Sequence, residues 1–190
     1  MKNADNTLSI VTAALLAALT FLATSVFKIA TPTFGYVHIG DGFVLISGFL
    51  LGPVTGGLAA GIGSMLSDLL GGYPVWAPGT FVIKFFTAFT GAAIYRLLQH
   101  RSSNMIIKTG TVILSGITGE AVMVLGYFLY NILIMTFLNG AAGNVSFSAA
   151  ATASLAEIPF NIVQGAVGVA IAAVLLPVLA HVPYVKKMNI

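Results

Sequence analysis

Long apolar runs, broken by short polar or proline- and glycine-marked stretches, set the pattern of this chain. Residues 8–27 include VTAALLAALTFLATSVF, which is apolar on every face and predicts a first helical span. The stretch KIATPTFGYVHIG, with Pro32 and Gly35, reads as a loop. A short second span is expected from Asp41 to Leu51, stopped at Gly52-Pro53 because proline cannot continue a helix. A third runs from Val54 to Leu70 and ends at Gly71-Gly72, and YPVWAP then forms a tight proline-bracketed loop. A fourth covers Gly79 to Leu98, QHRSSNMIIK is the most polar connection, and a fifth covers Thr109 to Phe137. After the small-residue loop NGAAGNVS, a sixth is expected from Ala149 to Leu179, kinked near Pro159.

None of these runs alternates with the period of two that a transmembrane strand would show over about 10 residues. Helices are the expected spanning element, because each satisfies its own backbone hydrogen bonds in lipid. At about 20 residues per span, six spans take about 120 of the chain and leave the rest for loops.

Composition narrows the class. Of 190 residues, 58% are hydrophobic and 7% charged, against about 25% charged in a typical soluble domain. The mean hydropathy is +1.01. A soluble enzyme, a disordered chain and a disulfide-stapled secreted module are all excluded, the last because there is no cysteine. Neither a tandem repeat nor a second domain is evident, so residues 1–190 are expected to form one all-α membrane domain of six transmembrane helices.

The net charge of +3 reports topology, since no basic run exceeds Lys186-Lys187. With six spans, Lys2, Arg96, Arg101, Lys108, Lys186 and Lys187 fall on one side and Lys28 on the other. Positive charge accumulates inside, so both termini are expected to be cytoplasmic. Lys2 followed by an apolar run also resembles a signal peptide. The run is longer than the 7–15 residues of a signal core, and losing it would leave an odd number of spans, so it is read as a retained first span.

Five ionisable residues fall inside or at the edge of the spans: Asp41, Asp68, Lys84, Glu120 and Glu157. Each costs about 2.5–3.5 kcal/mol to insert and is therefore a functional candidate. Four of them gather in the outer third. Helical spacing groups Glu157, Asn161 and Gln164 on one face, Glu120, Tyr127 and Asn131 on another, and Thr80, Lys84 and Thr87 on a third. Three polar stripes would line a water-accessible pocket for a small polar ligand. A structural reading stands beside it: Lys84 would pair with Glu157 or Asp68 and lock the bundle, and Asp41 would complement a helix dipole. His38, on an outer loop, suits a solvated or hydrogen-bonding role better than metal ligation, and no spacing makes a metal site.

Tyr36, Tyr73, Trp76 and Tyr130 fall near the outer boundary, either as an interfacial belt or, for the rigidly held Trp76, as a stacking platform for a planar ligand. Asn144-Val-Ser146 matches a glycosylation acceptor, a motif too common to carry weight. Ala13 with Ala17 and Ala14 with Ala18 form overlapping small-xxx-small patterns, as do Gly57 and Gly61. These pack inside the bundle or, for the first helix, dock another membrane subunit. No Walker-type phosphate loop surrounds Lys84 or Lys108, and Ser64 and Ser67 have no histidine at matching depth.

The AALLAA patch and the run YVHIGDGFVLISGFLLGPVTGGLAAGIGSMLSDLLGGYPVWAPGTFVIK resemble the substrate-binding S component of an energy-coupling factor (ECF) vitamin transporter. The resemblance covers essentially the whole chain and is nearest to the riboflavin-type subgroup, which includes proteins assigned to hydroxymethylpyrimidine and to pyridoxine or pyridoxamine. It implies a subunit with no catalytic activity and no cofactor of its own, in the cell membrane of a prokaryote. It would work with a transmembrane T component and two cytoplasmic ATPases that use ATP. It implies that Ala13, Ala14, Ala17 and Ala18 meet the T component. The substrate-contact set expected from depth and spacing is Trp76, Lys84, Glu120, Tyr127, Asn131, Glu157, Asn161, Gln164, Asp68 and His38. A cationic Lys84 among amide and carboxylate partners would suit a small heteroaromatic ring, a B6 vitamer or hydroxymethylpyrimidine; riboflavin would need more room. From other classes, a self-sufficient ion-coupled carrier or channel, with Asp68, Glu120 and Glu157 as its path, and an intramembrane enzyme remain the alternatives.

Overall fold

The chain is described by a computed structural model covering residues 2–31, 36–99, 105–138, 145–182 and 185, with the side chains of residues 2–6, 105–106 and 138 outside the description. The Lys2 side chain, Arg101, Asn144, Lys186 and Lys187 thus lie outside the described residues, as do Pro32 and Gly35.

Helix α1 spans Lys2–Val26. The loop expected after it instead contains a two-stranded antiparallel ribbon, β1 (Ile29–Ala30) and β2 (Tyr36–Val37), with Ile29 opposite Val37 and Ala30 opposite Tyr36. Helix α2 spans Asp41–Leu51 and α3 spans Pro53–Leu70. They are separated by Gly52, whose φ of +86° is open to glycine at little cost, and Pro53 opens α3 where its missing N–H is not needed. Helix α4 is Ala77–Gln99 and α5 is Met105–Leu133, continued by a π-helical turn over Ile134–Leu138.

The single sixth span expected over residues 149–179 is two helices, α6 (Phe147–Leu155) and α7 (Ile158–Leu179). The break falls at Glu157, just before Pro159 in the first turn of α7, where the proline ring cannot follow a preceding helical turn.

Among the described residues, four of the expected spans are helical segments long and apolar enough to cross a bilayer: Thr7–Val26, Ala77–Gln99, Ile107–Phe137 and Ile158–Leu179. Helix α2 has 11 residues, about 16 Å against a hydrocarbon core of about 30 Å. It is instead the centre of the bundle, packed against α1, α3, α4 and α7, with every residue from Val44 to Leu50 buried. An all-round apolar helix is stable in that position because no face has to meet water.

Lipid replaces water outside the bundle, so large apolar side chains such as Leu15, Val82, Phe86, Leu125, Val163 and Val174 point outward. Close packing must then hold the helices together. A Cβ on Gly63 would stand 2.3 Å from the Ala17 carbonyl oxygen, so α1 and α3 touch backbone to backbone. Gly57 and Gly61 pack against Phe85 and Phe81 of α4. Ala17 and Ala13 are half-buried, whereas Ala14 and Ala18 stay exposed beside Leu15 and Leu22. The two alanine pairs of the first helix therefore lie on different faces.

Candidate functional site

The alternation of helix directions brings the ends of α1, α3 and α5 and the starts of α2, α4 and α7 to one end of the bundle, beside the β ribbon. How α3 stops matters here. Gly72 has φ +86°, and the Tyr73 N–H bonds back to the Asp68 carbonyl at 2.8 Å. This is a Schellman closure that leaves Asp68 in the last turn and turns Tyr73 and Trp76 over the end of the bundle.

A cavity of about 450 Å³, measured out to its open mouth, lies there. Its wall carries Tyr36 and His38 from the ribbon segment, Asp68 from α3, and Tyr73, Trp76 and Thr80 around the start of α4. Tyr127 and Asn131 from α5, Glu157 at the α6–α7 break, and Asn161 and Gln164 from α7 complete it. The polar lining is held by cross-chain bonds. Tyr36 donates its hydroxyl to Asp68 Oδ1, and Thr31 donates to Glu157 Oε1 at 2.7 Å. Tyr127 donates to Thr80 at 3.2 Å. Trp76 packs edge-on to Tyr130 at 6.0 Å, and the Tyr130 hydroxyl is tied to the Val75 carbonyl.

Burial pushes the Tyr36 hydroxyl well above its usual range, reinforced by the charge of Asp68, so it remains a donor. His38 is pushed down to about 3, chiefly by burial; Asp41 opposes the shift, and Lys84 and Lys28 add to it. Its Nδ1 accepts the Gly40 N–H at 3.0 Å, so the neutral ring carries its proton on Nε2. Two acceptors on the wall, Asp68 Oδ2 and Asn131 Oδ1, are buried without a partner.

Eight of the ten residues expected to touch a ligand line this cavity: Trp76, Tyr127, Asn131, Glu157, Asn161, Gln164, Asp68 and His38. Lys84 and Glu120 do not. The Lys84 ammonium sits 2.5 Å from Asp41 Oδ1, both side chains fully buried, rather than pairing with Glu157 or Asp68. Asp41 thus does more than face a helix dipole: its Oδ2 accepts from Gln164 Nε2 at 2.7 Å, and Gln164 Oε1 accepts the His38 N–H at 3.0 Å. Glu120, two helical turns from Tyr127, instead lines a mostly apolar hollow between α5 and α7 with Ile117, Val124 and Ile162. Thr87, on the Lys84 stripe, bonds its own helix at the Ile83 carbonyl.

Tyr36 and Tyr73 are on the wall although the sequence placed them only in an interfacial belt. Their ring contact of 4.9 Å depends on the ribbon lying over the α3–α4 turn, a juxtaposition no local pattern encodes. Among the described residues, no cluster of three metal-ligating side chains occurs.

Residues 4–181 match the family described as ECF-type riboflavin transporter, S component. The chain belongs to this family. The S component is 39% identical over 93 residues to an uncharacterised protein of Pyrococcus woesei, a match covering 49% of this chain and 57% of that relative. Among solved structures, the S component of a bacterial ECF transporter superposes with a TM-score of 0.67 at 24% identity, covering 92% of this chain and 96% of that one. This likeness establishes the fold. The family is one of transporter subunits rather than enzymes.

Proposed function

We propose that this S component binds a small heteroaromatic vitamin or precursor with high affinity, a B6 vitamer or hydroxymethylpyrimidine, in the cavity at the ribbon end of the bundle. The single observation that carries the reading is a pair of buried acceptors on the cavity wall. Asp68 Oδ2 and Asn131 Oδ1 are buried acceptors with no partner, and a ligand that donates hydroxyl or amino hydrogens would satisfy both. Aromatic rings beside amides and carboxyls suit a planar ring with polar substituents. Riboflavin is the second reading, favoured by the description of the family.

In this proposal the cavity opens to the outside of a prokaryotic cell membrane, with both termini in the cytoplasm, as the basic residues Arg96 and Lys108 at the opposite end support. A T component and two ATPases would supply the energy for import. Uptake that persists in cells lacking ATPase partners would count for a self-sufficient carrier instead.

The test is to purify the chain alone in detergent, release any bound small molecule and identify it by mass spectrometry. Trp76 is the one tryptophan of the chain and lies on the wall, so its emission reports binding without interference. A stoichiometric B6 vitamer or hydroxymethylpyrimidine that perturbs the emission supports the proposal. Stoichiometric riboflavin would replace it with the second reading, and no ligand with no response to a vitamin panel would overturn both.

A further inference from the structure

Charge on the cavity wall is unbalanced. Asp68 and Glu157 face the space, and no lysine or arginine does. Asp68 has partial compensation, since Lys28, whose Nζ donates to the Ser67 carbonyl at 3.2 Å, lies within electrostatic reach. Glu157 has none: among the described residues no cation comes within 4 Å of it, and Lys84 is consumed by Asp41. Glu157 is 4% exposed, and its carboxyl accepts a neutral hydroxyl hydrogen from Thr31. Leaving a buried carboxylate without a counter-charge is costly, and one partner of opposite charge relieves that cost.

Of the rings on the wall, Tyr36 and Tyr73 already face the Lys28 ammonium at 4.2 and 5.5 Å and Tyr127 faces that of Lys84 at 5.1 Å, which leaves Trp76 as the ring without a cation of its own. An aromatic face in the same cavity as an uncompensated carboxylate favours a cationic ligand. Neutral donors and acceptors supplied by His38 and the amides add no positive charge that would hold an anion.

Resting on the reading of this cavity as the vitamin site, we propose that it selects a heteroaromatic ligand carrying a positive charge, an aminomethyl or ring-protonated form, with Glu157 as its counter-charge. Phosphorylated or carboxylated ligands are excluded by the same field. The inference turns on one functional group. Pyridoxamine and pyridoxine differ only in an aminomethyl for a hydroxymethyl, and the amine is protonated at neutral pH.

The full chain in detergent is titrated with pyridoxamine, pyridoxine and pyridoxal 5′-phosphate, read by Trp76 emission and by thermal stabilisation. Pyridoxamine is expected to bind roughly tenfold or more tightly than pyridoxine, the effect of one charge-assisted contact in a partly dry site, and the phosphate ester not measurably. Glu157→Gln should erase the amine preference, so that pyridoxamine and pyridoxine bind with equal affinity. Should that variant not fold, the wild-type ranking decides. Pyridoxine binding as tightly as pyridoxamine, or a preference that survives Glu157→Gln, overturns the inference and leaves the vitamin site standing. If none of these three, hydroxymethylpyrimidine or riboflavin binds, the vitamin-site reading falls as well.

Discussion

Lys84 Nζ lies 2.5 Å from Asp41 Oδ1, with neither side chain exposed at all. Removing one partner strands the other as a buried charge, at a cost of about 3–5 kcal/mol. Lys84→Met and Asp41→Leu should each lower the melting temperature in detergent sharply, and the double variant should recover much of the loss. Additive losses in that cycle would show that the pair is not coupled. Because Asp41 also orients Gln164, Asp41→Asn should weaken ligand binding through a residue that touches no ligand.

Asn131→Leu should have opposite effects on the two properties. In the free protein it removes a buried acceptor that has no partner, so stability should hold or rise. In the complex it removes a hydrogen bond, so affinity should fall by about 5- to 100-fold. Parallel thermal scans and Trp76 titrations check both signs. A destabilised variant with full affinity would place Asn131 outside the contact set.

Acid should destabilise the fold through His38. Its folded value of about 3 lies below the unfolded value of 6.5, so the unfolded chain binds the proton first. The associated stability is complete above pH 6.5 and is lost as pH falls toward 3, by up to about 1.4 kcal/mol per pH unit for one proton. The comparison needed is between wild type and His38→Gln. The variant should show a shallower decline in melting temperature between pH 7 and 5, and an identical slope would assign the effect elsewhere.

The first helix should separate binding from assembly. Ala14 and Ala18 are exposed, so Ala14→Trp should abolish association with a T component in co-purification while ligand binding persists. Gly63→Leu, which drives a side chain into the Ala17 carbonyl, should instead lower stability and binding together. Loss of ligand binding in Ala14→Trp would mean that this face is structural.

Local chemistry left clear marks in the sequence. Apolar runs, Gly52-Pro53, Gly71-Gly72 and Pro159 define where helices start and stop, because backbone dihedral limits and hydrogen-bond satisfaction in lipid act within a few residues. The stripe Glu157, Asn161, Gln164 was legible for the same reason, since a helix places such residues on one face wherever it packs. Which stripe faces which was decided only by tertiary structure. Lys84 meets Asp41 across 43 positions, and Gln164 reaches Asp41 across 123, through the burial of α2 at the centre of the bundle. Glu120 shares a face with Tyr127 yet misses the cavity, because two turns of helix separate their depths. Tyr36 and Tyr73 join the wall because the ribbon folds over the α3–α4 turn. Spacing along one helix fixes direction about its axis, whereas the partner across a gap depends on how whole helices stack, and that is set by the sum of many small contacts rather than by any one run of residues.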